Sequence, residues 1–205
     1  MRERAFGKRG SVLGRYILGL AMVLAISGCF SEKPWHVKEI TGHLPDLNFS
    51  LTSDSGHPVT AKTYEGYILL MYFGFTNCDA ECPVSMARLA NVLQLLGDDA
   101  DRMRILFVTL DPSRDTPQAL RHYVAQFDPE RAIGLTGTTN DIEGLTKRYR
   151  AAYRPRSRIG GTEDITHGDA VYIFDSQGQA RLLATSADSD GNLAGDLRRL
   201  LEGAL

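Results

Sequence analysis

The sequence predicts an α/β domain with a central mixed sheet flanked by helices. Apolar runs of strand length alternate with amphipathic segments of helical length, which is typical of βαβ units with parallel strands. Near the end of the chain, two short apolar segments flank a turn, which indicates an antiparallel hairpin at one edge of the sheet. We therefore expect a sheet that is parallel at its centre and antiparallel at that edge.

The first predicted elements are an N-terminal β-hairpin and a buried central strand. A weakly alternating segment at residues 47–51 precedes a turn at residues 53–56, which is the pattern of a hairpin. Residues 68–73 are continuously apolar, as expected for a strand that is buried on both faces. A helix over residues 83–96 follows, and Gly97 is expected to end it.

The remaining elements are predicted from the same kinds of signal. Residues 105–110 form a second continuously apolar strand, and Thr116 with Pro117 supplies an N-cap and a first-turn proline for a helix that extends to Phe127. A weaker strand at residues 133–135 leads to a helix over residues 140–149. The chain then has a hairpin and a final helix, at residues 171–174, 181–184 and 193–201.

The N-terminal segment has the pattern of a lipoprotein signal peptide. Residues 1–15 contain five basic residues and one acid, and residues 17–26 form an uncharged apolar run. This run is shorter than the roughly 20 apolar residues that a membrane-spanning helix needs. It ends in Ile-Ser-Gly before Cys29, which resembles a bacterial lipobox. We predict a signal peptide over residues 1–28; the alternative is an uncleaved signal anchor with a buried Cys29.

This interpretation divides the chain into three parts. Cleavage before Cys29 would leave a lipidated cysteine and a tether over residues 29–41, followed by one domain over residues 42–205. Both alternatives anchor the chain to the cell envelope with the domain on the extracytoplasmic, periplasmic side. The formal net charge is −2 and the basic residues cluster mainly in the signal segment and at residues 148–158, so no nucleic-acid surface is indicated.

Cys78 and Cys82 are the most informative residues of the domain. The order of elements fits a thioredoxin-like fold, in which ligands bind at the C-terminal ends of the parallel strands, and Cys78 follows such an end. Thioredoxin-type redox motifs have two residues between the cysteines, whereas this chain has three. The longer spacer can still close a disulfide, but it also lets both sulfur atoms bind one metal ion.

Pro83 predicts where Cys82 lies on the helix. Proline favours the first helical position and disfavours helical dihedral angles in the residue before it, so we expect Cys82 near the N-cap. The positive end of the helix would then lower the pKa of the Cys82 thiol.

His167 is the best candidate for a third metal ligand. It lies in a predicted loop before the strand at residues 171–174, where a thioredoxin fold commonly has a cis-proline that faces the cysteine loop. This chain has no proline there. The other histidines are expected in the tether or at its end, in a turn, and on a helix surface, and they are His36, His43, His57 and His122.

Several motifs in the right order resemble the SCO/SenC family. They are the segments at residues 72–83, 108–117, 127–129 and 134–137, and His167 followed by residues 171–175. The resemblance covers about residues 40–205 and implies a thioredoxin-like domain that binds copper through two cysteines and one histidine. Carried over by position, these ligands are Cys78, Cys82 and His167.

The resemblance also implies a function and partners. Such proteins deliver copper to the CuA centre of cytochrome c oxidase, or act on the cysteines of that centre. The implied partners are the oxidase subunit that carries CuA or another cuproprotein, a periplasmic copper donor, and the membrane through the lipid anchor. Two thiolates and one imidazole favour Cu(I), whereas Cu(II) would require an added carboxylate or water.

Two other hypotheses remain open. Cys78 and Cys82 could perform thiol–disulfide exchange, in which one cysteine attacks and the other resolves the mixed disulfide. Alternatively, the two cysteines could form a structural disulfide on a binding module. The same disulfide is expected in a metal-free, oxidised form of the copper site.

The chain departs from the family pattern at two places beside the expected ligands. The family usually has Cys-Pro-Asp-Val-Cys-Pro, whereas this chain has Asp79 and Glu81 between its cysteines. Extra negative charge there disfavours thiolates and favours a bound cation. The family has Asp-His-Ser around the histidine, whereas this chain has Thr166 and Gly168. The carboxylate that would orient the imidazole is absent from that position, and Asp164 or Asp169 could substitute for it.

Overall fold

A mixed β-sheet with helices on both faces forms the centre of the protein. The computed structural model describes residues 33–157 and 163–203, so the predicted signal peptide and Cys29 lie outside the described residues. The strands are β1 (Lys38–Glu39), β2 (Ser50–Ser53), β3 (Pro58–Thr60), β4 (Ile68–Gly74), β5 (Met103–Thr109), β6 (Ala132–Thr136), β7 (Tyr153–Ser157), β8 (Glu163–His167), β9 (Val171–Phe174) and β10 (Ala180–Ala184). The helices are α1 (Glu81–Leu96), α2 (Pro117–Val124), α3 (Thr139–Tyr149) and α4 (Asp190–Glu202).

Eight of the strands form the main sheet, in the order β1-β10-β9-β4-β5-β6-β2-β3. Strand β5 pairs in parallel with both β4 and β6, whereas β9 and β10 continue the sheet in antiparallel fashion beyond β4. Strands β2 and β3 form the predicted lead-in hairpin. The predicted α/β class, with its mixed sheet and thioredoxin-like arrangement, is therefore confirmed.

Strand β4 is apolar throughout because both faces of the sheet are covered. Successive side chains of a strand point to opposite faces. Leu70 and Tyr72 belong to the apolar core that includes residues of α1, α2 and α4, whereas Met71 and Phe73 belong to the core that includes residues of α3. The end of β4 therefore lies between two packed layers, next to the start of α1.

Helix α1 begins earlier than the position of Pro83 predicts. Its N-cap is Ala80, and Cys82 is the second helical residue rather than the cap. Proline is tolerated here because the first four N–H groups of a helix have no intrahelical acceptor, and Pro83 is the third residue of α1. The predicted helix start at residue 83 is therefore two residues late, and Cys82 lies near the N-cap, in the first turn, as expected.

The segment around His167 is a strand rather than the predicted loop. Strand β8 ends at His167 and pairs only with β7, in a separate two-stranded antiparallel sheet in which Tyr153 lies opposite His167. A two-stranded ribbon has no requirement for alternating apolar residues, and the sequence of β7 contains a proline and two arginines. The usual strand pattern is therefore absent.

The folded unit begins at Trp35, ahead of the predicted domain start at residue 42. Strand β1 pairs antiparallel with β10. Just before β1, the buried carboxylate of Asp196 accepts hydrogen bonds from the backbone N–H groups of His36 at 2.7 Å and Val37 at 2.9 Å. Two backbone N–H donors are thereby satisfied inside the structure.

Of the helices in the described residues, none is long and apolar enough to cross a membrane.

Candidate metal centre

Cys78, Cys82 and His167 meet at the C-terminal end of β4. Their ligand atoms all lie within 4.8 Å of one another, with His167 Nε2 at 3.0 Å from Cys82 Sγ and at 4.0 Å from Cys78 Sγ. Metal–sulfur and metal–imidazole bonds of about 2.3 and 2.0 Å keep donor atoms that share one ion roughly 3.5–4 Å apart. The three donors are therefore spaced for one metal ion. No other such group occurs within residues 33–157 and 163–203.

The hydrogen bond on the far side of the imidazole determines which nitrogen of His167 is free. Its Nδ1 atom lies 2.9 Å from the carbonyl oxygen of Gly168, and a carbonyl can only accept, so Nδ1 carries the proton. The lone pair of the neutral ring is then on Nε2, which faces the two cysteines. This is the tautomer that a metal requires, and a backbone carbonyl orients the ring in place of the carboxylate that the family pattern provides.

Of the two acids suggested by the sequence, Asp169 is engaged elsewhere. The Asp169 carboxylate instead accepts a hydrogen bond from the backbone N–H of Ser186 at 2.7 Å. Hydrogen bonding with the Ser186 side chain, and then with its backbone, lowers the pKa of Asp169. The side chain of Asp164 lies outside the described part of the structure.

Gly74 provides the space that the Cys82 sulfur occupies. A Cβ atom at position 74 would lie 2.9 Å from Cys82 Sγ and 2.7 Å from Cε2 of Phe107, and both contacts are shorter than real Cβ atoms make. The wall of the site is thus shaped around a sulfur atom. Two thiol sulfurs and one imidazole nitrogen also form a soft donor set, which suits copper and gives a structural zinc ion fewer ligands than it normally takes.

Aromatic side chains shield His167 and Cys82 from water. The rings of Tyr72 and Phe75 meet the imidazole edge-on, with centroids at 5.9 and 5.7 Å. Cys82 is fully buried and His167 is 7% exposed, whereas Cys78 is partly exposed. Cys78 is therefore the sulfur that solvent, an incoming ion or a partner protein can reach first.

Burial raises the pKa of the Cys82 thiol well above its ordinary range, and the neighbouring Cys78 also raises it. The sequence predicted a lowered pKa from the helix N-terminus. That prediction is wrong for the metal-free site because removing a thiolate from water outweighs the favourable effect of the helix end. At neutral pH Cys82 is a thiol, and its S–H can donate to Nε2 of His167 at 3.0 Å.

A buried carboxylate holds the loop between β4 and α1. Asp115 is 1% exposed, and its oxygens accept hydrogen bonds from the Thr76 N–H at 3.0 Å and the Thr76 hydroxyl at 2.5 Å. The hydroxyl of Thr109, at the end of β5, donates to the same carboxylate at 2.6 Å. The loop that carries Cys78 is thus fixed to the neighbouring parallel strand.

An open groove leads to the site beside the first turn of α1. Its lining includes Glu81, Val84, His167 and Asp169, and its volume is about 420 Å³. Val84 is 69% exposed, and Asp79 and Glu81 are also exposed. The two acids that distinguish the cysteine loop therefore face solvent rather than the cysteine sulfurs.

The other histidines lie away from the cysteines. His36 pairs through Nδ1 with the buried Asp196 carboxylate at 2.9 Å. The remaining three have exposed side chains, and they are His43, His57 and His122. None of the four belongs to the cysteine cluster.

Sequence reasoning missed three residues that shape the site, and they are Tyr72, Gly74 and Asp115. The motifs contain all of them, but the continuously apolar run at residues 68–73 indicates only a buried strand and no separate role for Tyr72. Asp115 gives a recoverable signal, because an acid a few residues beyond a strand end, next to a Thr-Pro helix start, often caps or braces a neighbouring loop. The importance of Gly74 depends on its distance from Cys82, which sequence alone does not give.

Fold and site together define a thioredoxin-like protein with a centre of two cysteines and one histidine. The chain belongs to the SCO1/SenC family, whose model matches residues 39–202.

Similar proteins include a mitochondrial protein and two solved structures that contain copper. The mitochondrial SCO1 homologue of Mus musculus is 36% identical over 134 residues, which cover 64% of this chain and 47% of that protein. The structure of Bradyrhizobium japonicum ScoI with copper bound has a TM-score of 0.69 and 31% identity, covering 76% of this chain and 98% of that chain. The structure of yeast Sco1 with copper bound has a TM-score of 0.68 and 28% identity, covering 77% of this chain and 90% of that chain. The chain spans about half the length of the mouse relative and of a yeast SCO2 protein that it matches.

Proposed function

We propose that this protein is a membrane-anchored, extracytoplasmic copper chaperone. It holds copper through Cys78, Cys82 and His167 and delivers it to the CuA centre of cytochrome c oxidase. The observation that carries the proposal is the convergence of two sulfur atoms and a lone-pair-bearing Nε2 atom within 4.8 Å, at a site shaped by Gly74. Copper-bound relatives with the same fold support the choice of metal.

Copper is the cargo of this site, and the arrangement suits transfer. Cys82 and His167 are buried and ordered by neighbouring groups, whereas Cys78 is partly exposed beside an open groove. A recipient thiolate can approach from the Cys78 side and exchange ligands stepwise, so that copper is never released as a free ion. A low-coordinate Cu(I) ion suits such exchange, because soft sulfur donors bind it and no fourth protein ligand needs to be displaced.

The lipid anchor and the location belong to the same proposal. The basic, apolar and small-residue pattern before Cys29 supports cleavage and lipidation there. Such an anchor would hold the domain near a membrane-bound oxidase. Metabolic labelling with a fatty-acid analogue tests this, with Cys29→Ala expected to abolish incorporation.

Copper binding is tested by titrating the reduced protein with Cu(I) against a chromophoric chelator. Wild type is compared with Cys78→Ser, Cys82→Ser and His167→Ala, and His122→Ala serves as a control because His122 is exposed and lies outside the site. Each ligand variant is expected to bind at least tenfold more weakly, and His122→Ala is expected to match wild type. If His167→Ala holds Cu(I) as tightly as wild type, the three-ligand site is wrong.

A second candidate function is thiol–disulfide exchange on the CuA cysteines. It is favoured by two free sulfur atoms within 4.8 Å of each other, one of them accessible. The Cys78 thiolate would attack a partner disulfide, and Cys82 would then attack the mixed disulfide and release the partner as a dithiol, leaving Cys78 and Cys82 oxidised. A copper-starved deletion strain separates the two functions. Rescue of oxidase activity by added copper supports delivery, whereas rescue only by a small thiol reagent supports exchange.

A further inference from the structure

The Tyr72 hydroxyl is a buried polar group beside the metal centre, and nothing in the described part of the chain forms a hydrogen bond with it. Tyr72 is fully buried on β4, two residues before Gly74. A buried hydroxyl without a partner is destabilising, and most such groups in folded proteins are paired. Its position therefore points to a form of the site in which the hydroxyl has an acceptor.

Cys82 is the acceptor that the geometry offers. Tyr72 and Gly74 point to the same face of β4, and the Cys82 sulfur packs against Gly74 on that face. The Tyr72 ring also lies edge-on to His167, whose Nε2 atom is 3.0 Å from that sulfur. Cys82 and Ser85 are the two side chains whose polar groups interact with the hydroxyl. A phenol keeps its proton at neutral pH, so the Tyr72 hydroxyl is available as a donor. A neutral phenol next to a thiolate is a donor facing a strong acceptor.

The copper-holding form of the site is the one that needs this bond. In the metal-free site the Cys82 thiol can donate to His167 Nε2 at 3.0 Å, and a thiol sulfur is a weak acceptor. A copper-holding Cys82 is a thiolate, and Nε2 then serves as a ligand instead of an acceptor. Cys82 is fully buried, so water cannot solvate the anionic sulfur.

We propose that Tyr72 is a positioning residue that donates a hydrogen bond to the Cys82 sulfur in the copper-holding form. The inference rests on the proposed copper site and names the group that stabilises its buried thiolate. In the metal-free protein the unpaired hydroxyl is destabilising. In the copper-holding protein the hydroxyl has an acceptor, so this destabilisation is removed. Tyr72 therefore acts in opposite directions on the stability of the metal-free fold and on copper affinity.

Tyr123 is the obvious competitor for this role. Its hydroxyl on α2 is also buried without a partner in the described residues, and burial together with the charges of Cys82 and Cys78 raises its pKa. No hydrogen-bonding contact links it to either sulfur, and its ring packs on Phe107 at 5.0 Å and Phe127 at 5.3 Å. Tyr123 therefore interacts with the site through charge at a distance rather than by donation.

The test compares Tyr72→Phe with Tyr172→Phe, Tyr123→Phe and Ser85→Ala. Tyr172 is the matched control, because it is a buried tyrosine that packs on Phe73 in the core on the other face of the sheet. Three quantities are measured on the purified protein: the melting temperature of the reduced, metal-free form, the Cu(I) affinity against a competing chelator, and the energy of the sulfur-to-Cu(II) charge-transfer band.

Tyr72→Phe is expected to raise the metal-free melting temperature by about 2–4 °C, because an unpaired buried hydroxyl is removed. The same variant is expected to bind Cu(I) about tenfold more weakly, and its charge-transfer band should move to lower energy, because a thiolate that loses a donor holds its electrons less tightly. Tyr172→Phe and Ser85→Ala should leave the affinity and the band unchanged.

Three results overturn the inference. The first is a Tyr72→Phe protein with wild-type Cu(I) affinity and an unshifted charge-transfer band. The second is a charge-transfer shift in Tyr123→Phe that equals or exceeds the shift in Tyr72→Phe. The third is a loss of metal-free stability in Tyr72→Phe that by itself accounts for the weaker copper binding. In each case wild type still binds copper, and the proposed function stands. Failure of wild type to bind copper overturns both the proposed function and the inference.

Discussion

His167 Nε2 lies 3.0 Å from Cys82 Sγ, although 85 residues separate them in the chain. Strand β8 supplies the histidine, and the first turn of α1 supplies the cysteine. The Gly168 carbonyl fixes the ring so that its lone pair faces the sulfur. The site therefore pairs a proton donor with a proton acceptor when metal-free, and the same two atoms become ligands once the proton leaves.

The metal-free protein should lose stability above about pH 8.5 because of Cys82. Burial raises the pKa of the Cys82 thiol in the folded state above its unfolded value of about 8.5. Above that pH the unfolded chain releases a proton that the folded chain retains, so the free energy of unfolding falls as pH rises. Between pH 8 and 9.5 the expected loss from Cys82 is about 1 kcal/mol.

Urea unfolding of the reduced protein with a metal chelator measures this loss, and Cys82→Ala provides the control. The variant should be less stable overall, because a buried side chain is shortened, but its stability should fall less steeply with pH over this range. Parallel curves for wild type and variant would show that Cys82 titrates at its ordinary pKa in the folded protein.

Gly74→Ala should destabilise the protein and disturb the site. The added Cβ would lie 2.7 Å from Phe107 and 2.9 Å from Cys82, and neither fully buried side chain has space to move. Overpacking of this kind costs about 1–3 kcal/mol. We also expect weaker Cu(I) binding, because relief of the clash moves the Cys82 sulfur.

Gly144→Ala is the matched control for this substitution. Gly144 lies inside α3, and a Cβ atom there meets nothing within 4 Å. Replacing a helical glycine by alanine should stabilise the protein by about 0.5–1 kcal/mol and leave copper binding unchanged. A Gly74→Ala protein as stable as Gly144→Ala, with wild-type affinity, would contradict the packing argument.

The sequence alone was sufficient to predict the helices and strands that have strong periodic patterns. The buried strands β4 and β5, the helices and the closing hairpin were predicted, because burial on both faces of a sheet and on one face of a helix leaves a clear pattern. The sequence was not sufficient to predict the β7–β8 ribbon, whose two strands form a separate sheet within the described residues. His167 was therefore expected in a loop, although its proximity to the cysteines followed from the fold.

The chemistry of the site depended on distances that a sequence does not contain. Proline at position 83 correctly indicated a helix start, but the pKa of Cys82 depends on burial, which raises it, more than on the helix end. The hydrogen bond from His167 to Gly168 replaces the carboxylate that the family pattern led us to expect. In both cases the deciding effect, burial of a thiol and contact with a backbone carbonyl, is visible only in the structure.

Asp115→Asn should loosen the loop that carries Cys78. The carboxylate accepts three hydrogen bonds, from the N–H and hydroxyl of Thr76 and the hydroxyl of Thr109. Asparagine replaces one acceptor oxygen by a donor and removes the charge, so we expect a loss of about 1.5–3 kcal/mol and faster exchange of the Thr76 amide hydrogen. Asp98→Asn, at an exposed position, should change neither quantity. Equal exchange rates in both variants would contradict the role of Asp115.

Asp196 should hold the start of the folded unit more strongly than its side-chain contacts with His36 and Arg199 suggest. Its carboxylate is fully buried on α4 and accepts the backbone N–H groups of His36 and Val37 at 2.7 and 2.9 Å. The His36 ring, which also contacts it, is 38% exposed, so that contact is worth less than about 1 kcal/mol. Asp196→Ala leaves the N–H groups of His36 and Val37 without their acceptor, and about 3 kcal/mol should be lost.

His36→Ala separates the ring contact from the backbone contacts. It should cost less than about 1 kcal/mol in urea unfolding, because both N–H bonds to Asp196 remain. Hydrogen exchange at Lys38 and Leu183, which pair in β1 and β10, should quicken in Asp196→Ala and stay near wild type in His36→Ala. The reason is that Asp196 anchors backbone rather than a side chain, so its loss frees the strand that follows. Equal losses in the two variants would mean that contacts other than the two N–H bonds to Asp196 hold the segment before β1.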